Sequence, residues 1–439
     1  MDNNITIQVE NLGPLKGPET IVLRPFLIFS GVSGVGKSYI AMLSHFVYRV
    51  IAGNELLHYL VSSKIDYDVL KQSMTGDEGL MCKISVSEFG DWIDCRALSY
   101  MREMLGNVNF SAKIHIDLPN LPEYFTFSYS RNVMMSQGSD VVEYVETLKF
   151  IEADDSIQMP QGEGTWSSFP FMFMLNRYLR KKYGIQPGRT FFLPPSRGSL
   201  VAVPDDVRVR MQQSMGMYKI FLNDLSALKS MNMSYKQSEA IEKANNILHD
   251  EVLHGDINVK DNEMVYQVEN TEIPITAAAS SIKEIAPFAL MIQKGLLNTY
   301  SILFEEPESH LHPELQVKVA ELLGYALQEG AHLQITTHSD YLVRSLNDLI
   351  RLHILKEKME KEQFLHYCAE KKFNPDIDIN PEDVAAYYLE LDASGVSHIT
   401  RQDVSMGIPF DSFKKVIDNQ MARSADLYDQ VGFFLEQGE

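Results

Sequence analysis

The chain opens with short alternating apolar runs. Ile5, Ile7 and Val9, then residues 20–24, then residues 26–30, are separated by glycine and proline turns, which predicts three strands in the first thirty residues. From Lys37 to Ala52 the period changes to that of a helix, with Ile40, Leu43, Val47, Val50 and Ile51 on one side and Gly53-Asn54 as a stop. A strand, a glycine-rich turn and a helix therefore follow one another directly.

Residues 54–188 predict an insertion of mixed type, helical near Val86 to Leu105 and strand-like over 112–117, 124–130 and 141–150. Residues 190–193 return as a short apolar strand before Pro194 and Pro195. Residues 205–254 read as a helical arm of polar or amphipathic turns, followed by strands around 257–259, 263–268 and 272–275. A buried strand at 302–304, a helix at Pro313 to Gln328 and a strand at 333–336 form a βαβ crossover, and hence a parallel sheet. Residues 374–383 read as a loop. A hairpin over 384–391 and 397–403 and terminal helices come after it.

Composition adds bounds. The 439 residues are 45% hydrophobic and 22% charged, ordinary for a globular chain. The start MDNNITIQVENLG has no basic segment leading into an apolar one, and no later run approaches the ~18 apolar residues of a membrane span. A cytoplasmic protein with no membrane association is expected, and Cys82, Cys95 and Cys368 read as free thiols. The formal net charge of -20 argues against a surface broadly built for nucleic acid, and leaves such binding open only as a local patch. The densest basic cluster, Arg177, Arg180, Lys181 and Lys182, sits where cations favour a helix end.

Gly31-Val32-Ser33-Gly34-Val35-Gly36-Lys37-Ser38 matches GxxxxGK[ST] in full, directly after a strand and before a helix. Its glycines let backbone N–H groups curl around phosphates, Lys37 neutralises their charge, and the Ser38 hydroxyl can ligate Mg²⁺. Gly31, Ser33, Gly34, Val35, Gly36, Lys37, Ser38 and Tyr39 are the candidate ATP contacts. The partner of such a loop is an acidic pair at the end of an apolar strand, present as Ile302-Leu303-Phe304-Glu305-Glu306. Glu305 can hold Mg²⁺ through water, and Glu306 can polarise the attacking water as general base. His338, after the strand at 333–336, falls on the same edge.

GVSGVGKS, FEEPESHLHPE and TTHSD together resemble the ATPase heads of the ABC superfamily, closest to the structural-maintenance, RecF-like and overcoming-lysogenization-defect branch. The resemblance spans residues 5–51, 190–197 and 277–346. It implies a P-loop α/β fold with a mixed or parallel sheet, an antiparallel β subdomain and a helical insertion. In its terms residues 1–54, 189–204 and 277–350 form the ATPase core, 55–188 and 205–276 are inserted, and 351–439 follow. It also implies that His338 is a switch histidine reaching the γ-phosphate or the lytic water, and that residues 309–312 are a D-loop. Ser280 and Ser281 in Ala279-Ser280-Ser281-Ile282-Lys283-Glu284 become the signature segment that reaches ATP on a second subunit, although the usual glycines are missing and Pro287 implies a late or kinked helix. A plain serine N-cap is the other reading of Ser280. Arg197 in the Leu-Pro-x-x-Arg strand end would face nucleotide or partner, or serve the structure alone.

The implied function is an Mg·ATP-dependent ATPase that dimerises around ATP, or forms a higher homo-oligomer, and controls a separately encoded effector in defence against phage. A nuclease is one such effector, since the chain shows no nuclease motif of its own: Asp376 and Asp378 lack the glutamate-bearing strand of a Toprim site. The alternatives are a RecF-like DNA-repair ATPase, which calls for a basic surface, and a transporter's nucleotide-binding subunit, which calls for an intact signature. The arm shows no long heptad coiled coil.

Overall fold

A computed structural model describes residues 3–65, 80–135, 142–158, 168–203, 216–232, 238–409 and 411–436. Its strands are β1 (Thr6–Glu10), β2 (Glu19–Val22), β3 (Phe26–Gly31), β4 (Leu80–Ser85), β5 (Lys113–Asp117), β6 (Tyr124–Met135), β7 (Val142–Phe150), β8 (Asp155–Gln158), β9 (Arg189–Leu193), β10 (Asp256–Lys260), β11 (Glu263–Val268), β12 (Thr271–Pro274), β13 (Tyr300–Glu305), β14 (His332–Thr337), β15 (Val384–Leu391) and β16 (Ser397–Gln402). The central sheet runs β16-β15-β3-β14-β13-β9. All neighbours in it are parallel except the edge strand β16. β3, β13 and β14 are buried at every position, as expected of strands covered on both faces.

The helix Lys37–Ala52 lies against β3, β14, β13 and β9, and the helix Pro313–Gln328 packs on β14 and on the helix Asp340–Lys358. Three antiparallel sheets surround this core: β2-β1-β5, β10-β11-β12 and β4-β6-β7-β8. The last belongs to the insertion. Its Phe125, Phe127 and Phe150 pack with Phe89 of the helix Val86–Leu105 and with Phe171 and Tyr178 of the helix Phe169–Tyr183. The basic cluster is the end of that latter helix, where Arg177 pairs with Asp155 and Arg180 donates to the Gln186 carbonyl.

Several expectations change. The hairpin over 384–402 is no appendage, because β15 pairs with β3 along its length. Gly31 permits that approach: a Cβ there would lie 2.0 Å from the Leu389 carbonyl oxygen. In the expected arm, the helices Met217–Ser230 and Glu239–Ile247 are amphipathic and bury Phe221, Leu222, Leu225, Leu228, Ile241 and Ala244. Residues 204–215 and 233–237 of that stretch lie outside the described residues. One helix, Asp411–Glu436, follows the hairpin, and the helix Lys361–Lys371 precedes it. Pro287 delays nothing: the helix Ser280–Gln293 starts at Ser280 and contains it, with Ile285, Ala286, Phe288 and Ala289 buried on either side. Burial of that face outweighs the one hydrogen bond a proline forfeits.

Candidate functional site

Parallel pairing puts the ends of β3, β13 and β14 on one edge, where Ser30 stands beside Thr337 and Glu305 beside Thr336. The loop 31–36 leaves β3 here. Gly34 and Gly36 hold φ of 80° and 99°, values that glycine alone adopts freely, and Gly36 leads into the helix Lys37–Ala52. Ser33, Gly34, Gly36, Lys37, Ser38 and Tyr39 line a cleft of about 300 Å³, closed on its other sides by Pro14, Glu306, Thr336 and His338. Val35 turns its side chain away from the cleft and into the core. It is fully buried, so only its backbone is left to meet a ligand. Gly31 lies at the strand end below the cleft.

Lys37 is buried and donates to the Gly31 and Val32 carbonyls at 3.0 and 2.8 Å. Burial pulls its ammonium down to about 8, against the opposing pull of Glu306, Glu308 and Glu305. A phosphate in the cleft would supply the missing counter-charge.

Glu305 is 2% exposed. Its Oε2 accepts the Ser38 hydroxyl, while Oε1 is buried without a hydrogen-bond partner. Burial pushes the carboxyl up to about 7, against the Ser38 hydrogen bond, and Glu306 adds to the rise. A buried carboxylate one partner short, beside a hydroxyl at the foot of a phosphate loop, is a donor set that suits Mg²⁺. Glu306, the next residue, takes a left-handed φ of 45°. Its side chain lines the cleft. Its N–H donates to the Thr336 carbonyl at 3.0 Å, and the Ser309 hydroxyl donates to its Oε2 at 3.3 Å.

His338 lines the cleft opposite. Burial, then the charge of Lys37, lowers its imidazole, and the Gly31 backbone hydrogen-bonds it. Glu308, which the motif reading passed over, fixes this turn: its Oε1 accepts the Thr337 hydroxyl at 2.8 Å and the His338 N–H at 2.7 Å. Its place inside the acidic Pro-Glu-Ser stretch was the available signal.

Ser280 and Ser281 are elsewhere. They start the helix Ser280–Gln293, Ser280 exposed and Ser281 half-buried, with no side-chain cap, and neither lines the cleft of its own chain. Arg197 does not face the cleft either. It is fully buried behind the strand ends.

Residues 213–343 match the family model described as an AAA ATPase domain, a stretch that includes Glu305, Glu306 and His338 but not the glycine loop. The parallel sheet, the glycine loop at its carboxyl edge and this match together support a P-loop ATPase domain within the chain. No curated protein matches the chain. Among solved structures it is similar to an SMC head bound to the C-winged helix domain of ScpA, at 12% identity over 92% of this chain and 98% of that one, with a TM-score of 0.37. The SMC head domain from Thermotoga maritima aligns at 10% identity over 92% and 100%, with a TM-score of 0.33. An SMC head with an extended coiled coil, bound to the C-terminal domain of ScpA derived from Pyrococcus furiosus, aligns at 12% over 96% and 100%, with a TM-score of 0.36. No helix among the described residues is long and apolar enough to cross a membrane.

Proposed function

We propose that the chain binds Mg·ATP in the cleft above the loop 31–36 and hydrolyses it to ADP and phosphate. The observation that carries this reading is the convergence of Lys37, Ser38, Glu306, Thr336 and His338, from three strand ends, on one cleft. Backbone N–H groups at the start of the helix Lys37–Ala52 hold the phosphates, and Lys37 exchanges its two carbonyl partners for phosphate oxygens. Glu306 accepts the proton of the attacking water, and His338, held neutral, hydrogen-bonds that water or the γ-phosphate. Ser38 and Glu305 would hold Mg²⁺, which supplies charge neutralisation across the β- and γ-phosphates.

Dimerisation around ATP is part of this reading, and the position of Ser280 and Ser281 supports it. A helix start with free N–H groups, turned away from its own cleft, suits the γ-phosphate of a second copy. Control of a separately encoded effector, and a role in defence against phage, rest on the sequence resemblance alone.

The test is phosphate release and light scattering for wild type, Lys37→Ala and Glu306→Gln, with and without Mg·ATP. Glu306→Gln should retain ATP, lose about 10²- to 10⁴-fold in turnover and accumulate as a larger assembly. Lys37→Ala should do neither binding nor assembly. Wild-type turnover in Glu306→Gln would remove the catalytic assignment.

A further inference from the structure

Arg197 has an environment that the chemistry above does not use. Its side chain is 0% exposed, and its donors are spent almost wholly on backbone carbonyls. Nη1 donates to Pro194 at 3.1 Å and to Glu305 at 2.8 Å, Nη2 to Glu306 at 3.3 Å, and Nε to Glu284 at 2.8 Å. The guanidinium also lies 4.5 Å from the centroid of the Phe304 ring. It therefore binds the end of β13 at Glu305, whose side chain meets Ser38, and at Glu306, whose side chain lines the cleft. Glu306 needs such a hold. It keeps a left-handed φ without being glycine, a conformation that persists only where the surroundings enforce it.

The fourth contact leads out of the site. Glu284 lies one turn into the helix Ser280–Gln293, is 3% exposed, and sets its Oε2 3.6 Å from Nε of Arg197 without a hydrogen bond. Gly198 makes the approach possible, since a Cβ there would stand 2.8 Å from Glu284 Oε1 and 3.1 Å from Lys283 Cβ. The helix that starts at exposed Ser280 is thus joined to the Glu306 backbone through a single guanidinium. The joint is charge-assisted and under-satisfied, so a small movement of the helix changes which partner Arg197 favours.

We infer that Arg197 is a positioning residue that sets the aim of Glu306, and that Glu284 makes this aim depend on the position of the helix Ser280–Gln293. A second copy of the chain, docking at the start of that helix, would then adjust turnover without touching Glu306. This rests on the ATPase reading above and adds how its base is aligned.

The experiment measures ATP affinity and single-turnover phosphate release on the full chain for Arg197→Lys, Glu284→Gln and Gly198→Ala, with Lys37→Ala as the blank and melting temperature as the control for folding. Lysine keeps the charge but cannot span the carbonyls. All three variants should bind ATP within a few-fold of wild type while the hydrolytic step slows about 10- to 100-fold, most in Arg197→Lys. If Arg197→Lys does not fold, the other two variants decide. Folded Glu284→Gln and Gly198→Ala with wild-type rates would overturn the inference, and so would affinity falling in step with rate. Phosphate release from wild type no greater than from Lys37→Ala marks failure of the ATPase reading itself, and the positioning role falls with it.

Discussion

Two buried carboxylates stand near opposite ends of the helix Lys37–Ala52, and the fold treats them in opposite ways. Glu305 meets Ser38 at the start of the helix, and Glu55 meets Arg49 just beyond its end. Each is 2% exposed. Glu55 accepts from Arg49 at 3.0 Å and from Arg96 at 2.9 Å, and Arg96 continues to Glu103 at 2.6 Å. Burial would raise Glu55, yet the two arginines hold it below the usual carboxylate range. Glu305 has one hydroxyl, an orphaned oxygen, and a carboxyl pushed up to about 7. The end that ties the core to the insertion is electrostatically complete. The end that faces the cleft is left to be completed by what binds there.

The comparison breaks most visibly at Glu55. Removing it strands Arg49 and Arg96, so Glu55→Ala should cost about 3 kcal/mol, nearer the lower end for a broken buried pair because both arginines keep some exposure. Urea unfolding measures this. A loss well under ~1 kcal/mol, the range of an exposed ion pair, would show that the network is incidental. The cleft residues are not in contact with this pair, so ATP affinity should hold in the folded fraction.

How far the chain reveals these two ends differs. The loop 31–38, the Glu305-Glu306 pair and His338 are legible because each is a local motif next to a strand of clear apolar character. Glu55 is not: Gly53-Asn54 reads as the end of a helix, and the short helix Glu55–Ser62 draws its stability from contacts with distant residues. Arg197 is similar. Its partners lie 3, 87, 108 and 109 residues away, so no window of sequence contains them. β15 joins β3 across more than half the chain, and its apolar run fits a peripheral hairpin equally well. β4 and β8 are the edges of the insertion sheet, with Ile84 buried in β4 and no residue buried in β8, which leaves little hydrophobic period to read.

His45 lies between the two ends, fully buried and 6.1 Å from the Phe192 ring. Burial, then the charge of Arg49, lowers its imidazole to about 3, with Gln334 opposing. Its folded-state value is depressed, so below pH ~6.5 the unfolded chain takes up a proton that the folded chain refuses, and stability falls as pH falls. One such group contributes about 2 kcal/mol between pH 6.5 and 5. His45→Leu should flatten the urea-derived stability curve over that interval by about one proton's slope. An unchanged slope would mean that the imidazole takes up its proton in the folded protein over the same pH range as in the unfolded chain.

The smallest effect carries the sharpest sign. If Glu305 is a carboxylate kept short of partners for a cation, then in the absence of nucleotide and Mg²⁺ it destabilises the fold at pH 8, where it is ionised. Glutamine keeps an oxygen for Ser38 and removes the charge, so Glu305→Gln should melt higher than wild type by the equivalent of about 1 kcal/mol. With Mg·ATP the order should reverse, because wild type gains the ligand's stabilisation in full and the variant gains less. A variant that melts lower in both conditions would place Glu305 with Glu55, as a structural charge. The contrast between the two ends of the helix would then reduce to a difference in the number of arginines at hand.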